Sequence, residues 1–322
     1  MIAESAAMVF FALLLDLVFG DPRNRFHPTA WIGMLIARLA PVAQTHHGAC
    51  QRLAGVYVVV IPVLVIVLLL ALLEWGIGLI SGIAYTIILV FVMGILFKMT
   101  LAIRGMQRHA MNVVAALDAN DLLSARQNLA MIVKRDTGSL DRNHIYSAVV
   151  ESISENTVDG VTGPLFYFGF FGIFGSFVYR TVNTADSMVG YKTSIFRDMG
   201  WFAATSDRVL NYIPSRLTGL VMVLSSALLQ DNWRESYRTM IRDSKNTESP
   251  NAGYPMAAVA GALDARLEKI GHYSIGNGTT LFSKEHVIRA ITMMKVTSIV
   301  FAITVAIPAM TLMSYVGWWV HA

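Results

Sequence analysis

The sequence predicts an all-α, polytopic integral membrane protein, a helical bundle with amphipathic helices and polar loops on the cytoplasmic face. Its composition, 55% hydrophobic and only 14% charged with a mean hydropathy of +0.55, lies outside the range that is usual for soluble globular domains. Residues 55–73 and 296–320 contain no charged residue. Each is long enough to cross about 30 Å of hydrocarbon as a helix.

The apolar runs predict the helices in order. We expect spans near 5–19, 55–73, 77–99 and 296–320, all within a single helical membrane domain, 1–322. Two shorter runs, 164–179 and 216–230, are predicted to be re-entrant or packed without a full crossing. Lys and Arg, which mark the cytoplasmic side, are absent before residue 23 and after residue 295. The distribution predicts an outside N-terminus and a multi-pass protein of the cell membrane.

The polar segments contain helical signals but no strand-like alternation long enough to build a sheet. Residues 110–119 and 121–133 are predicted to form a helical hairpin, with Asn120 in the turn and Asp121 as the N-cap. The single cysteine, Cys50, excludes an internal disulfide. The formal charge of +4 is spread along the connecting segments, which disfavours nucleic acid as a partner.

A first polar cluster follows the N-terminal apolar run in DLVFGDPRNRFHP, residues 16–28. Gly20, Asp21 and Pro22 are predicted to end the first helix, and His27 before Pro28 predicts an extended turn. The cluster is either a helix stop with a cap or part of a site.

A second cluster places three carboxylates four residues apart in VVESISENTVDG, residues 149–160. On a helix Glu151, Glu155 and Asp159 would share an arc of about 80°, with His144 on nearly the same line. Gly160 is predicted to end that helix and to leave Asn156 and Asp159 at its mouth. Such oxygen ligands suit Mg²⁺. The alternative is a solvated helix face.

A third cluster lies in FVYRTVNTADSMVGYK, residues 177–192. On a helix, spacings of three and four residues place four side chains on one face, namely Arg180, Asn183, Asp186 and Ser187. Together with Lys192, Arg180 is a candidate for binding a phosphate. The alternative is that Arg180 and Asp186 neutralise each other at a helix packing seam.

A fourth cluster, SPNAGYPMAAVAGALDARLE, spans residues 249–268. Its prolines and Gly253 predict a rigid turn, followed by a helix with a face of small residues that can approach another backbone closely. Asn251 either binds a ligand or caps the turn, and capping is the commoner role of a single asparagine. The chain contains no Walker A, nucleophile-elbow or His-Glu-x-x-His motif.

These clusters, in this order, resemble the adenosylcobinamide-phosphate synthase family of the corrinoid pathway, membrane enzymes that form an amide. The matching text comprises GDP and HP (20–22, 27–28), ESISENTVDG with Pro164, YRTVNTADSMVGYK (179–192), DRVLNYIPSRLTG (207–219) and SPNAGYPMAAVAGAL (249–263). The resemblance covers nearly the whole chain, and 264–290, with HYSIGNGTTLF, is its least typical part.

The resemblance implies an ATP- and Mg²⁺-dependent ligase that joins the free propionate carboxylate of adenosylcobyric acid to aminopropanol or aminopropanol O-phosphate. Glu155, Asp159 and Asp186 would handle the metal or the amine, with Glu151 a further catalytic candidate, and His27 or His144 would accept the proton. Candidates for binding substrate or phosphate are Asp21, Asn156, Arg180, Asn183, Ser187, Lys192, Asn211, Arg216 and Asn251. The active site is expected on the cytoplasmic side, near other enzymes of the corrinoid pathway.

Two other functions remain open from the residues alone. Glu155, Asn156 and Asp159 loosely resemble the acidic site of a Mg²⁺-dependent membrane prenyl transferase, and a transporter would line a pathway with charges inside the membrane. Against transport, the polar clusters lie mostly between the spans and no inverted repeat is visible.

Overall fold

The computed structural model describes residues 2–22, 24–45, 48–190 and 196–317, and it confirms an all-α chain. The polypeptide divides into two compact units. Unit 1 comprises residues 1–102, 163–211 and 302–322, and unit 2 comprises residues 103–162 and 212–301. Each unit is therefore built from segments that are distant in sequence.

Unit 1 consists of apolar helices. They are α1 (Ile2–Phe19), α2 (Pro28–Gln44), α3 (Gly48–Gly78), α4 (Ile83–Lys98), α8 (Gly163–Val189), α9 (Trp201–Leu210) and α14 (Ile307–Tyr315), preceded by a π-helical turn, Ala302–Ala306. Its core buries Met8, Ile36 and Phe177, and the rings of Phe97 and Phe168 stack at 4.1 Å. Burial of such side chains is the main favourable term in holding these helices together.

Large apolar side chains also cover the outside of unit 1. On α3, Leu64, Leu68 and Leu72 recur every four residues and are all exposed. A soluble protein would not expose such a stripe, but a helix in contact with lipid does. The stripe therefore supports a membrane location for α3.

Five described helical runs are long and apolar enough to cross a membrane, namely Ile2–Phe19, Cys50–Gly78, Ile83–Asp118, Arg142–Val189 and Lys284–Tyr315. The chain is accordingly a multi-pass membrane protein. The predicted span 77–99 begins too early, because α3 continues to Gly78 and a turn at Gly82 precedes α4. Apolar residues fill that turn, so hydropathy did not reveal it.

The two weaker segments differ from each other in the structure. Segment 164–179 contains a break, because Gly172 adopts φ 61° and ψ −152° between two helices. The rings of Tyr167 and Tyr179 stack at 5.2 Å, whereas a continuous helix would hold these residues about 18 Å apart, so the chain folds back at Gly172. A re-entrant course of this segment in the membrane stays a prediction. Segment 216–230 overlaps a shorter apolar helix, α10 (Tyr212–Leu228). Residues 318–320 of the last predicted span lie outside the described residues.

Unit 2 contains the more polar helices. They are α5 (Ile103–Asp118), α6 (Leu122–Ala130), α7 (Arg142–Thr157) with a π-helical turn at Val158–Thr162, α10, α11 (Trp233–Asp243), α12 (Gly253–Ala262) and α13 (Lys284–Phe301). The predicted helical hairpin is confirmed in α5 and α6, because Asn120 turns with φ 56° and the Asp121 carboxylate accepts the Ser124 N–H at 2.9 Å. This bond satisfies one of the free N–H groups at the start of α6.

The small-residue face predicted for α12 packs closely on α11. A Cβ added to Gly261 would lie 2.3 Å from the backbone oxygen of Glu235, so only glycine fits there. The Ser236 hydroxyl donates to the Ala258 carbonyl at 2.8 Å across the same contact. Small side chains thus bring the two backbones together, as the sequence predicts.

The expectation that no sheet forms is wrong in one place. Strands β1 (Leu267–Lys269) and β2 (Tyr273–Ile275) pair antiparallel as a short hairpin. Three residues per strand are too few for alternation to stand out in a sequence. Strand β2 contains Tyr273, whose hydroxyl donates a hydrogen bond to the buried Glu151.

Candidate functional site

A buried lysine in unit 1 lies between two carboxylates. Lys98, the last residue of α4, is only 4% exposed, and its Nζ lies 2.6 Å from Asp21 Oδ1 and 3.4 Å from Asp16 Oδ1. A buried cation requires such partners, because removing an isolated charge from water is very costly. The first polar cluster is therefore part of a charged site as well as a helix stop.

The second partner of Asp21 is His27. Burial alone would raise the pKa of the Asp21 carboxyl, but hydrogen bonds from His27 and Lys98 and their positive charges lower it to about 2. His27 Nε2 lies 3.4 Å from Asp21, and Nδ1 accepts the Thr29 N–H at 3.2 Å as the N-cap of α2. Both ring nitrogens are thus engaged, which disfavours His27 as the proton acceptor.

A continuous hydrogen-bond network joins α8 and α9 in unit 1. Arg180 Nη1 donates to Asn183 Oδ1 at 3.2 Å, and Asn183 Nδ2 donates to Asp207 Oδ1 at 3.1 Å. The other oxygen of Asp207 accepts from Asn211 Nδ2 at 3.1 Å, and the Tyr179 hydroxyl donates to Asn211 Oδ1 at 2.7 Å. Every link is a directed bond between buried or half-buried groups, so the network holds its side chains in one arrangement.

The remaining members of the third cluster lie further along α8. Asp186 is half-buried and Ser187 is exposed near the end of the helix. Lys192 lies outside the described residues. The structure therefore brings together Arg180, Asn183 and Asn211 from the predicted set.

In unit 2, Glu151 is a buried acid whose two oxygens both accept hydrogen bonds. Arg135 Nη2 forms an ion pair with Oε2, and the Tyr273 hydroxyl donates to the same oxygen at 2.8 Å. The Ser147 hydroxyl donates to Oε1 at 3.2 Å. The carboxylate is compensated by fixed donors, as a buried charge must be.

The surroundings of Tyr273 show which acids lie close to it. Burial raises the pKa of the Tyr273 hydroxyl, and the negative charges of Glu151 and Glu155 raise it further. The phenol therefore stays protonated and acts as a hydrogen-bond donor. Glu155 itself is exposed, so Glu151 and Glu155 have different surroundings although they are one helical turn apart.

Gly160 does not end the helix, contrary to the prediction. The helical run passes from α7 through the π-helical turn Val158–Thr162 and continues beyond it, and Gly160 is buried. π-Helical turns insert a residue without breaking the helix and occur often at functional sites. Asp159 lies half-buried in this turn. Asn156 Nδ2 donates to the Ser152 carbonyl, one helical turn earlier, at 2.9 Å.

His144 forms a pair with the N-cap of its own helix. Its Nδ1 lies 2.7 Å from Asp141 Oδ1, and the same oxygen accepts the His144 backbone N–H at 2.8 Å. A carboxylate at Nδ1 fixes the proton there and leaves the lone pair on Nε2. Of the two predicted histidines, His144 therefore has the geometry of a base.

Arg216 lies between two aromatic rings. Its guanidinium carbon is 3.6 Å from the ring centre of Tyr212 and 4.5 Å from that of Tyr254, and Nη1 donates to Asn251 Oδ1 at 3.2 Å. Such stacking holds the planar group in one orientation. Asn251 thus binds Arg216 through its side chain, a role that neither predicted alternative included.

The predicted metal ligands do not form one cluster within a unit. Glu155 and Asp159 belong to unit 2 and Asp186 belongs to unit 1. Among the residues that the structure describes, no group of three or more His, Cys, Asp or Glu side chains is placed to hold a metal ion. Mg²⁺ commonly uses only one or two protein carboxylates together with substrate phosphate, which Glu155 and Asp159 fit by residue type.

Four residues of these sites were not predicted from the sequence. Lys98 had a visible signal, because it is a lone charge at the end of an apolar span. Asp207 lies in a matching segment but was not singled out. Arg135 and Tyr273 carried no local signal, since their partner Glu151 lies 16 and 122 residues away.

Comparison with known proteins gives a consistent family. The model of the CobD/Cbib protein family matches residues 9–316. A probable cobalamin biosynthesis protein CobD of Methanothermobacter thermautotrophicus is 38% identical over 94% of this chain and 97% of its own length. The cobalamin biosynthesis protein CobD of Dehalococcoides mccartyi is 40% identical over 85% of this chain and 87% of its own length. The cobalamin biosynthesis protein CobD of Clostridium perfringens is 37% identical over 82% of this chain and 83% of its own length. No solved structure matches the chain.

Proposed function

The chain belongs to the CobD/Cbib family and is an enzyme of cobalamin biosynthesis, and we propose that it forms an amide bond on a corrinoid. The substrates would be adenosylcobyric acid, through its free propionate carboxylate, and aminopropanol or aminopropanol O-phosphate. The observation that carries the proposal is the family match over residues 9–316. The reaction would take place on the cytoplasmic side of the cell membrane.

Amide formation from a carboxylate requires activation. In the proposed reaction a carboxylate oxygen of the corrinoid attacks the γ-phosphorus of ATP, which gives an acyl phosphate and ADP. The amine nitrogen then attacks the acyl carbon, the C–O bond to phosphate breaks, and inorganic phosphate leaves. The nitrogen loses one proton to a base, since a protonated amine cannot attack.

His144 is the proposed base. Its Nδ1 is 2.7 Å from Asp141, so Nε2 can accept the proton of the amine while the carboxylate stabilises the imidazolium that forms. The His27 ring already uses both nitrogens in its contacts with Thr29 and Asp21. We therefore assign the proton transfer to His144. His27 would instead position the Asp21 carboxylate.

Phosphate binding is proposed for the arginines that are already held in place. Arg216 is fixed by two tyrosine rings and Asn251, and Arg180 is fixed by Asn183. An ordered guanidinium loses little entropy when it binds an oxyanion. Glu155 and Asp159 would hold Mg²⁺, which would neutralise charge on the phosphates when bound.

The direct test is incubation of the purified full-length protein with adenosylcobyric acid, ATP, Mg²⁺ and either amine, followed by mass analysis of the corrinoid. We expect the mass of an amide product and a matching release of ADP. An unchanged corrinoid with both amines would contradict the proposal. A prenylated product or uptake of unmodified substrate into vesicles would instead support one of the two other functions.

The assignment of the base has a matched control. We expect His144→Gln to lower kcat by about 10²–10⁴-fold, the usual contribution of a general base. His272→Gln is the control, because His272 also pairs with a surface acid, Glu248, and should retain activity. Equal activity of both variants, measured on folded protein, would remove His144 from the mechanism.

A further inference from the structure

We infer that Arg135 binds a phosphate group of a substrate and that Glu151 and Tyr273 position it for this purpose. The inference deepens the proposed function and rests on it. None of the sequence motifs includes Arg135, and its role follows from the contacts that hold it in unit 2.

Glu151 has the surroundings of a positioning residue. Its side chain is 3% exposed, and its two oxygens accept from Arg135, Tyr273 and Ser147. The Ser147 oxygen in turn accepts the N–H of Glu268, a residue of strand β1, at 3.3 Å. Three of the roughly four lone-pair sites of this carboxylate are therefore occupied, and it holds a guanidinium firmly.

The loop that carries Arg135 is fixed on both sides. The Ser152 hydroxyl of α7 donates to the Ile132 carbonyl at 2.9 Å. The Thr137 hydroxyl donates to the Arg126 carbonyl at 3.0 Å, and Arg126 Nε donates to the Leu140 carbonyl at 2.9 Å. The segment between α6 and α7 is therefore tied to both helices, and the Arg135 backbone has a defined position.

The guanidinium of Arg135 forms its hydrogen bond to the protein through one nitrogen, Nη2. Its side chain is 15% exposed, and one N–H of Nη2 binds Glu151. Within the described part of the chain, its other four N–H groups have no hydrogen-bond partner. These N–H groups are available to a ligand, and a planar fork of N–H groups matches two oxygens of a phosphate.

The neighbouring charges suit a phosphate that carries a metal ion. Glu155 is close enough to contribute to the electrostatic surroundings of Tyr273, as Arg135 does. Glu151 neutralises part of the arginine charge, and Glu155 supplies a hard oxygen ligand nearby. A guanidinium can bind the phosphate oxygens, and a carboxylate near the same phenol can bind the cation of that phosphate.

The test measures binding separately from turnover. Full-length protein in detergent is titrated by calorimetry with Mg²⁺-ATP and, separately, with aminopropanol O-phosphate. We expect Arg135→Gln to weaken one of the two by about 10–100-fold, the loss that follows from removing a hydrogen bond to a charged group. The ligand that is affected identifies the source of the phosphate.

Two further variants separate binding from folding. Arg135→Lys keeps the charge beside Glu151 but loses the planar fork, and it should weaken the same ligand by about threefold or more. Tyr273→Phe removes a donor to Glu151 and should weaken that ligand less than Arg135→Gln does. Arg142→Gln is the control, because Arg142 is exposed and bonded to Asn120, and it should bind both ligands as the unmodified protein does.

The inference is overturned if folded Arg135→Gln and Arg135→Lys bind both ligands as tightly as the unmodified protein, or if the unmodified protein binds neither. Binding that depends on Arg135, combined with no amide product in the incubation, would instead overturn the proposed function. The two failures are therefore distinguishable.

Discussion

In unit 1 the buried cation Lys98 lies between Asp16 and Asp21, whereas in unit 2 the buried acid Glu151 is held by Arg135, Tyr273 and Ser147. Lys98 lies on a helix and is almost fully enclosed. Arg135, the cation of unit 2, lies on a loop and is partly exposed. The difference teaches that the cation of unit 1 is enclosed with its carboxylates, whereas Arg135 keeps N–H groups that its carboxylate does not use.

The largest effect is expected from removing the enclosed cation. Lys98→Met leaves Asp16 and Asp21 without their shared partner, and breaking a buried ion pair in this way costs about 3–5 kcal/mol of unfolding free energy. The measurement is denaturant unfolding of the protein in detergent. Arg52→Met is the control, since Arg52 is 59% exposed in its pair with Asp198 and such pairs contribute less than about 1 kcal/mol.

A smaller effect is expected in unit 2. Glu151→Gln keeps the size of the side chain and should lower the unfolding free energy by about 2–3 kcal/mol, because the Arg135 side chain is 15% exposed and its charge keeps some contact with water. Glu155→Gln, at the exposed neighbouring acid, should change it by less than about 0.5 kcal/mol. A loss for Glu151→Gln as large as that for Lys98→Met would contradict the difference between the units.

The pH dependence of stability reports on unit 1. The pKa of Asp21 is lowered from 3.8 to about 2 in the folded protein, so its contribution is complete above pH 3.8 and is lost as the pH falls toward 2. The shift corresponds to roughly 2 kcal/mol. Unfolding curves measured between pH 5 and pH 2 should show this loss in the unmodified protein and not in Asp21→Asn. If the unfolding free energy of both proteins changed with pH in the same way, the Asp21 contacts would contribute nothing to the pH dependence of stability.

The smallest effect is expected in the network of α8 and α9. Asp207→Asn retains one acceptor but places an amide donor opposite another amide, which should cost about 1 kcal/mol. Asp264→Asn is the control, because Asp264 is exposed with φ 50°, a conformation that asparagine also tolerates. Equal unfolding free energies for the two variants would mean that the network does not contribute to stability.

Sequence reasoning succeeded where both partners lie on one helix or at its end. Arg180 and Asn183 are neighbours because they are three residues apart, and Asp121 caps α6 because it immediately precedes the helix. It failed at Gly160, where a π-helical turn continues the helix, since a glycine alone does not distinguish a helix end from a tightly packed turn.

The sequence by itself determined the helical class, the membrane location and the family, because long apolar runs and multi-residue motifs are local properties of the chain. Only the tertiary structure decided which charged groups are partners. Glu151 meets Tyr273 across 122 residues, and Lys98 meets Asp21 across 77. These contacts depend on how segments distant in sequence assemble into each unit, and periodicity within a single segment carries no information about them.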